Sequence, residues 1–485
     1  MPSIIPYLSM FSFAYGSCFY YDNYQYDVIY TPLLLIDHYN IEFMKDTKIN
    51  TLMQKEWKRQ KEGVELIPSE NYVSMAVRKA LSSYFVNKYS EGYPKKRYYG
   101  GNEYVDEIEV IAQDRAKKLF NVPYVNVQPY SGSPANLAVY LAVCKPSEVV
   151  LGQALTAGGH LTHGHFVSAT GIYYTAYQYG LKTNITGETT DLFDYEEIKA
   201  QVKKYRPKLM WIGATAYPLQ INYKRFAEIA DEFGVYLAAD IAHIAGLIVG
   251  GVHPSPVPFV HIVTTTTHKT LRGPRGAMIM VTEKGLQKDP ELAKKINRAV
   301  FPGLQGGPHD NQTAAIAVSL HEASQESFKT YAKQIISNAK ALATCLTKGG
   351  WDLVGGGSQN HLLLADLRKT IGSGAGIFMQ KALDLVGLTV NKNTIPGETS
   401  SSFYPSGIRL GTPAATTRGM KEKEMMIIGN IILNVADIVG SIDLPATVDE
   451  RIKVIEKFEF LNRNSKKMQS LRREVKTLAL RFPIP

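Results

Sequence analysis

The sequence predicts an α/β protein, with a mostly parallel mixed sheet covered by helices in a large domain and a smaller α+β domain at the C-terminus. Three observations carry that prediction. Short apolar runs alternate with helix-period segments through the middle of the chain, and the alternation gives way to longer helical patterns after about residue 320. The chain has 485 residues, 45% apolar, 10% aromatic and 20% charged. That is enough for two or three cored domains at roughly 150 residues each. The same composition excludes a mostly disordered chain, a coiled coil and a collagen-like repeat.

Residues 1–43 stand apart from the rest. They hold no Lys or Arg, eight of the 29 tyrosines, and four acids, Asp22, Asp27, Asp37 and Glu42. A secretory signal needs a basic n-region and a mitochondrial presequence needs arginines, so this stretch reads as an accessory or spurious extension. From Met44 the text becomes regular. Ile49, Leu52, Met53 and Trp57 recur at helical spacing and Gly63 closes that helix. A second amphipathic pattern runs through Val105, Ile108, Ala112, Ala116 and Leu119. Leu209–Gly213, Val235–Ala239, His261–Thr266 and Ala277–Val281 read as buried strands, with helices over Tyr195–Tyr205 and Tyr223–Phe233 between the first of them. Strand–helix–strand alternation implies a parallel sheet covered on both faces. A further strand is predicted at Leu362–Leu367. The expected division is an extension at 1–43, an arm at 44–80, a large domain at 81–320 and a small domain at 321–485.

Several function classes are excluded early. Cys18, Cys144 and Cys345 form no CxxC pair, which rules out a disulfide scaffold or zinc ribbon and suits a reduced compartment. The net charge is +10. The four unbalanced acids of residues 1–43 leave the remainder at +14. Its basic residues are scattered, so nucleic acid is not an expected partner and attraction for small anions is. No run of about 18 apolar residues predicts a spanning helix. Cytoplasmic residence is the expectation.

The chemistry begins at Ala239-Asp240-Ile241-Ala242-His243. An acid directly after an apolar strand sits at the carboxyl end, where open α/β sheets place ligands. Thr264-Thr265-Thr266-Thr267-His268-Lys269 then sets a lysine just past another strand. An Asp beside a pyridinium nitrogen and a Lys as covalent anchor are the two groups that pyridoxal phosphate needs. Ser131-Gly132-Ser133, just ahead of a helix expected to start near Pro134, offers hydroxyls, backbone N–H groups and a helix dipole to a phosphate. His160, His163 and His165 lack the Cys pair or HExxH helix of a zinc site, so no metal is expected. Stacking on a flat cofactor is the better use of one ring. Tyr89–Pro94 and Arg97–Gly101 read as an interface or a site lining. Arg409, between Gly407 and Gly411, has the forked donors that suit a substrate carboxylate. Gly372–Gly376 is predicted to open a helix.

These blocks, with Leu66–Asn71, Phe301–Pro308 and Asn391–Asn393, resemble serine hydroxymethyltransferases in order and spacing from about Met44 to the end. The resemblance implies a fold-type I pyridoxal-phosphate transferase that interconverts serine and glycine with tetrahydrofolate as co-substrate. By it, Lys269 would anchor the cofactor, Asp240 pair with its ring nitrogen, His160 stack on the ring and His243 lie near the phenolic oxygen. Thr215 would stand beside the cofactor. Ser131, Gly132 and Ser133 would bind phosphate, joined across a homodimer interface by Tyr89, Gly306 and Gly307; a tetramer is also compatible. Arg409 would clamp the amino-acid carboxylate with Ser69 and Tyr99 nearby. Glu91 would be the acid–base group at the hydroxymethyl carbon, and His268 would join Lys269, Glu91 and Tyr99 in catalysis. Leu155, Gly159, His160, Leu161, Asn393, Ser401, Ser402 and Phe403 would contact folate. Pro68, Pro134 and Ala277 depart from the family pattern, and none removes a reacting group. Two other readings remain on the residues alone, a folate-independent aldolase for β-hydroxy amino acids and an idle RNA-binding or scaffold protein.

Residues 1–43 lie ahead of every motif and are interrupted by Pro2, Pro6, Gly16 and Pro32. Ordering a chain costs about 1–2 kcal/mol of backbone entropy per residue, which such a stretch is poorly built to offset. Purified 44–485 is therefore expected to match the full chain in melting temperature, cofactor content and folate-dependent activity. Loss of the dimer or the cofactor in the truncated protein would identify the extension as a structural arm.

Overall fold

Residues 46–182, 189, 191–401 and 403–485 are described by the computed structural model; the extension at 1–43 and Ser402 lie outside them. The chain divides into two units, Met1–Trp57 and Lys58–Pro485. The described part of the first is helical, within Thr47–Glu62, in the place where the sequence predicts a helix.

The larger sheet of the second unit has seven strands: β1 Tyr124–Asn126, β2 Val149–Gln153, β3 Thr175–Tyr179, β4 Leu209–Ile212, β5 Tyr236–Asp240, β6 Ile262–Thr266 and β7 Ala277–Val281. Their order is β1-β7-β6-β5-β4-β2-β3. The run from β6 to β3 is parallel, and β7 lies antiparallel to both β6 and β1.

Side-chain alternation explains how four consecutive apolar positions all become buried. Met210 and Ile212 of β4, Leu237 and Ala239 of β5, and Met278 and Met280 of β7 join one core. The intervening Leu209, Trp211, Tyr236, Ala238, Ala277 and Ile279 join another on the opposite face. The first core is completed by helices Glu103–Phe120, Tyr223–Glu232 and Asp310–Ala323, the second by Gly132–Val143 and Leu292–Arg298. A period of two with both faces apolar reads as a continuous hydrophobic run, the signal that singles out β4, β5 and β7 in the sequence. Strands β1 to β3 carry a weaker signal. β1 has only three residues, β2 ends in Gly152-Gln153, and β3 at the sheet edge is polar and only partly buried.

A second, antiparallel sheet contains β8 Asp352–Leu353, β9 Leu362–Asp366, β10 Asn391–Asn393 and β11 Gly407–Gly411, in the order β8-β9-β11-β10. Leu363, Ala365, Ile408 and Leu410 pack in a separate core with helices Gly376–Val386, Glu422–Val439 and Lys466–Leu480. The predicted strand at 362–367 is β9, and the glycine-rich segment opens the helix at Gly376 as expected. No helix among the described residues is long and apolar enough to cross a membrane.

Candidate active site

Because β2, β4, β5 and β6 are parallel, their carboxyl ends share one edge of the sheet, the usual place for a ligand in an open α/β fold. The segments leaving that edge line a small cavity. Gly132, His160, Thr215, Asp240, His243 and Lys269 all line it, so six of the residues singled out from the sequence meet there.

Asp240 ends β5. Its Oδ1 accepts from Ala242 N at 3.0 Å. Its Oδ2 accepts from Asn136 Nδ2 at 2.9 Å and lies 3.4 Å from His163 Nε2. Burial would by itself raise this carboxyl's pKa. The His163 bond, with His160 and Lys269 nearby, outweighs it and holds the group well below the usual carboxylate range. Asp240 is therefore a fixed negative charge at neutral pH.

Lys269 follows β6 by three residues. Burial pulls its amine down to about 8, against Asp240, which favours the charged form, and with Arg409 and Arg275, which oppose it. Roughly a tenth of such an amine is neutral at pH 7. The carbonyl of Lys269 accepts from Asn71 Nδ2 at 2.9 Å, and Asn71 in turn accepts from Thr417 Oγ1 at 2.7 Å. Burial lowers His160 to about 4 and His268 to about 3, the latter helped by Lys269 and Arg275. His160 Nδ1 lies 2.7 Å from Thr162 Oγ1, which fixes the ring beside the cavity.

The residues fit pyridoxal phosphate. Helix Gly132–Val143 starts two residues earlier than expected, and its N-cap Ser131 makes no side-chain capping bond, so that hydroxyl is uncommitted. A Cβ on Gly132 would stand 2.8 Å from Thr266 Cγ2, so glycine leaves open a space that any side chain would fill. Thr266 Oγ1 and His268 Nδ1 are buried and have no hydrogen-bond partner among the described residues. Ser133 is exposed at the helix start. Pro134 sits in the first turn, where no intrahelical partner for an N–H exists. Ala277 is fully buried at the start of β7.

Arg409 lies on β11 and is 8% exposed. Its Nε donates to Asn391 Oδ1 at 3.0 Å, and its Nη1 donates to the carbonyl of Thr215 on the cavity wall. Burial pulls the guanidinium down to about 10, still protonated at neutral pH. The loop bearing Ser69 lies against the same strand. Gly411 N donates to Leu66 O at 2.7 Å, and a Cβ on Gly411 would come within 2.5 Å of Pro68 Cα. The glycine is what admits Pro68 there.

Tyr89, Glu91, Tyr99, Gly306 and Gly307 form a different cluster, and none of them lines the cavity of Lys269. Tyr89 Oη lies 3.4 Å from Glu91 Oε1, the Tyr89 and Tyr99 rings meet edge-on at 5.0 Å, and Gly306 and Gly307 pack on Glu91 and Tyr89. Tyr89 is 53% and Tyr99 48% exposed. A buried network holds this loop in shape. Arg97 bonds Asp106, Glu109 and the carbonyls of Ser90 and Gly92, and Ser90 Oγ donates to Asp310 at 2.7 Å.

The residues assigned to folate are dispersed. Leu155 opens a single 3₁₀ turn before Gly158, Gly159 is buried beyond it, and Leu161 is 42% exposed. Asn393 ends β10, Ser401 and Phe403 are exposed, and Ser402 lies outside the described residues. Sequence reasoning missed Asn136, the buried amide that bonds Asp240, Thr162 and, through Oδ1, Thr264. Its one signal was a polar residue within the apolar run Ala135–Val143. The part played by His163 was missed too. Its ring stacks on Trp211 at 5.4 Å while its Nε2 faces Asp240.

A mostly parallel seven-stranded sheet, a smaller antiparallel domain sheet, and a Lys–Asp pair at the strand ends define the fold-type I pyridoxal-phosphate class. Residues 43–432 match the model of the family described as serine hydroxymethyltransferase. A protein of Acidothermus cellulolyticus bearing that name is 52% identical over 409 residues, which cover 84% of this chain and 92% of the relative. One of Desulfotalea psychrophila with the same name is 48% identical over 442 residues, covering 91% and 95%. The chain belongs to the serine hydroxymethyltransferase family.

Proposed function

We propose that the chain converts L-serine and tetrahydrofolate reversibly to glycine and 5,10-methylenetetrahydrofolate, with pyridoxal phosphate as its resident cofactor. The observation that carries this is Lys269 and Asp240 on one cavity whose wall, through Thr215, holds Arg409. When bound, the cofactor supplies an electron sink for charge developing at the amino-acid α-carbon. Lys269 would hold the cofactor through its amine, and that same amine is the group placed to move a proton. Asp240, fixed as a carboxylate, keeps a ring nitrogen protonated. Arg409 orients the substrate carboxylate with the guanidinium donors not committed to Asn391 and Thr215, assisted by Ser69. Ser131, Gly132 and Ser133 would hold the phosphate. His160 would cover the ring and His243 would hold its phenolic oxygen. Leu155, Gly159, Leu161, Asn393 and the 401–403 segment take the folate.

Glu91 and Tyr99 belong to this reading through a homodimer, in which the Tyr89–Gly307 cluster of one protomer completes the cavity of its partner. The exposure of Tyr89 and Tyr99, and the absence of this cluster from the cavity lining of its own chain, support that arrangement. Cytoplasmic residence belongs to the same reading, supported by Cys144 and Cys345, which form no disulfide among the described residues. The test is glycine formation from L-serine by the purified, cofactor-loaded chain, with and without tetrahydrofolate. Folate-dependent cleavage yielding methylenetetrahydrofolate is expected; folate-independent cleavage of threonine with no response to folate would make the chain an aldolase.

Glu91→Gln separates chemistry from binding. The amide keeps the shape of the side chain but carries no proton, so cofactor content and serine binding are expected to be unchanged. Folate-dependent turnover is expected to fall by ~10²-fold or more, the scale for a positioned proton carrier. Spectra of the bound cofactor and initial rates check this, and loss of the cofactor would make Glu91 structural.

A further inference from the structure

A second small cavity shares Ala214, Asp240 and His243 with the first, and its walls also include His253 and His361. His243 lines both. His243 Nδ1 and His361 Nε2 are 3.1 Å apart, and both rings are buried. Burial holds both imidazoles well below their ordinary pKa. Lys269 and Arg409 add to this at His243, and Arg409, His253 and Lys269 at His361. Both rings are therefore neutral at pH 7, and one nitrogen of the pair donates while the other accepts.

The hydrogen accounting at His361 decides the direction. Its other nitrogen, Nδ1, is buried with no partner among the described residues. If His243 were the donor, His361 would carry its proton on Nδ1 as an orphaned N–H. If His361 is the donor, Nδ1 is a lone pair. Orphaned buried donors are rarer than unfilled acceptors, which favours the second arrangement. His253 does not change the balance, since its Nδ1 proton goes to Pro254 O at 3.0 Å.

We propose that His361 is a positioning residue whose Nε2–H donates to His243 Nδ1 and thereby fixes His243 as the Nε2–H tautomer. That tautomer leaves His243 one free N–H on the ring that lines the cavity of Lys269 and Asp240, suited to a ligand oxygen carrying negative charge. The oxygen would be the cofactor's phenolic oxygen, and on this point the inference rests on the pyridoxal-phosphate reading above.

Two measurements test it. In holoenzyme labelled with ¹⁵N-histidine, with His361 assigned from His361→Gln, the ring shifts are expected to show Nε2–H and bare Nδ1 on both His361 and His243. A proton on Nδ1 of His361 would overturn the proposal. Separately, His361→Leu is expected to weaken cofactor binding by up to about tenfold, as for loss of one buried hydrogen bond, and to shift the visible band of the bound cofactor. His361→Gln keeps a donor near the Nε2 position and is expected to restore both to within about threefold. An unchanged Leu variant, or a Gln variant as impaired as Leu, would overturn it. A wild-type chain that shows no cofactor band fails the pyridoxal-phosphate reading instead, and the ¹⁵N shifts then judge the His361 tautomer alone.

Discussion

Lys269→Ala is expected to abolish serine cleavage while leaving the fold intact. The amine is both the anchor and the proton carrier of the proposed reaction. Losing a positioned proton carrier alone costs about 10²–10⁴-fold, and loss of the anchor adds to that. The stability side has a definite sign. The folded-state pKa of Lys269 is depressed to about 8 from an ordinary 10.5, chiefly by burial. Its charged form is thus disfavoured in the folded chain, a destabilisation fully present below pH 8 and fading between pH 8 and 10.5. Removing the amine relieves it, so the cofactor-free variant should melt no lower than the cofactor-free parent at pH 7. The bond from Asn71 survives, because it goes to the main-chain carbonyl. Single-turnover serine assays and thermal melts check both halves. Residual turnover near that of the parent would remove Lys269 from the mechanism.

Arg409→Lys is expected to weaken both serine and glycine binding by roughly 10–100-fold, the equivalent of one buried charge-assisted hydrogen bond at about 1.5–3 kcal/mol. The guanidinium already bonds Asn391 Oδ1 and Thr215 O, and its planar fork allows a further pair of bonds to a carboxylate. A lysine ammonium is one point charge and cannot reach two fixed acceptors and a substrate together. Cofactor content should remain near that of the parent, since Arg409 is assigned to the substrate and not to the phosphate or the ring. Titration of glycine into the loaded variant measures the effect, and unchanged affinity would place the carboxylate clamp elsewhere.

Much of the architecture was legible in the residues. β4, β5 and β7 announce themselves because both of their faces are apolar, β6 through Ile262-Val263 and a run of β-branched threonines, and β9 through its leucines. Asp240 and Lys269 could be placed at strand ends without coordinates, since Asp240 closes one such strand and Lys269 comes three residues after another. The sequence marks Arg409 as a candidate clamp but not as part of a strand. Gly407 and Gly411 mask the β pattern of β11, and the glycine at 411 is needed for contact with Pro68.

What the sequence determined alone is local: which runs are strands, and which polar and charged side chains stand at their ends. Pairing was decided by the tertiary structure. Asn136 and Asp240 are 104 positions apart and His243 and His361 118 apart, so no short-range pattern could reveal either bond. The separation of Glu91 from the Lys269 cavity was equally hidden, because both motifs look like site lining when read along the chain. The physical reason is common to all three. Periodicity reports which face of an element is buried, whereas the partner of a buried polar group is set by which helices, loops and strand ends the tertiary fold packs together.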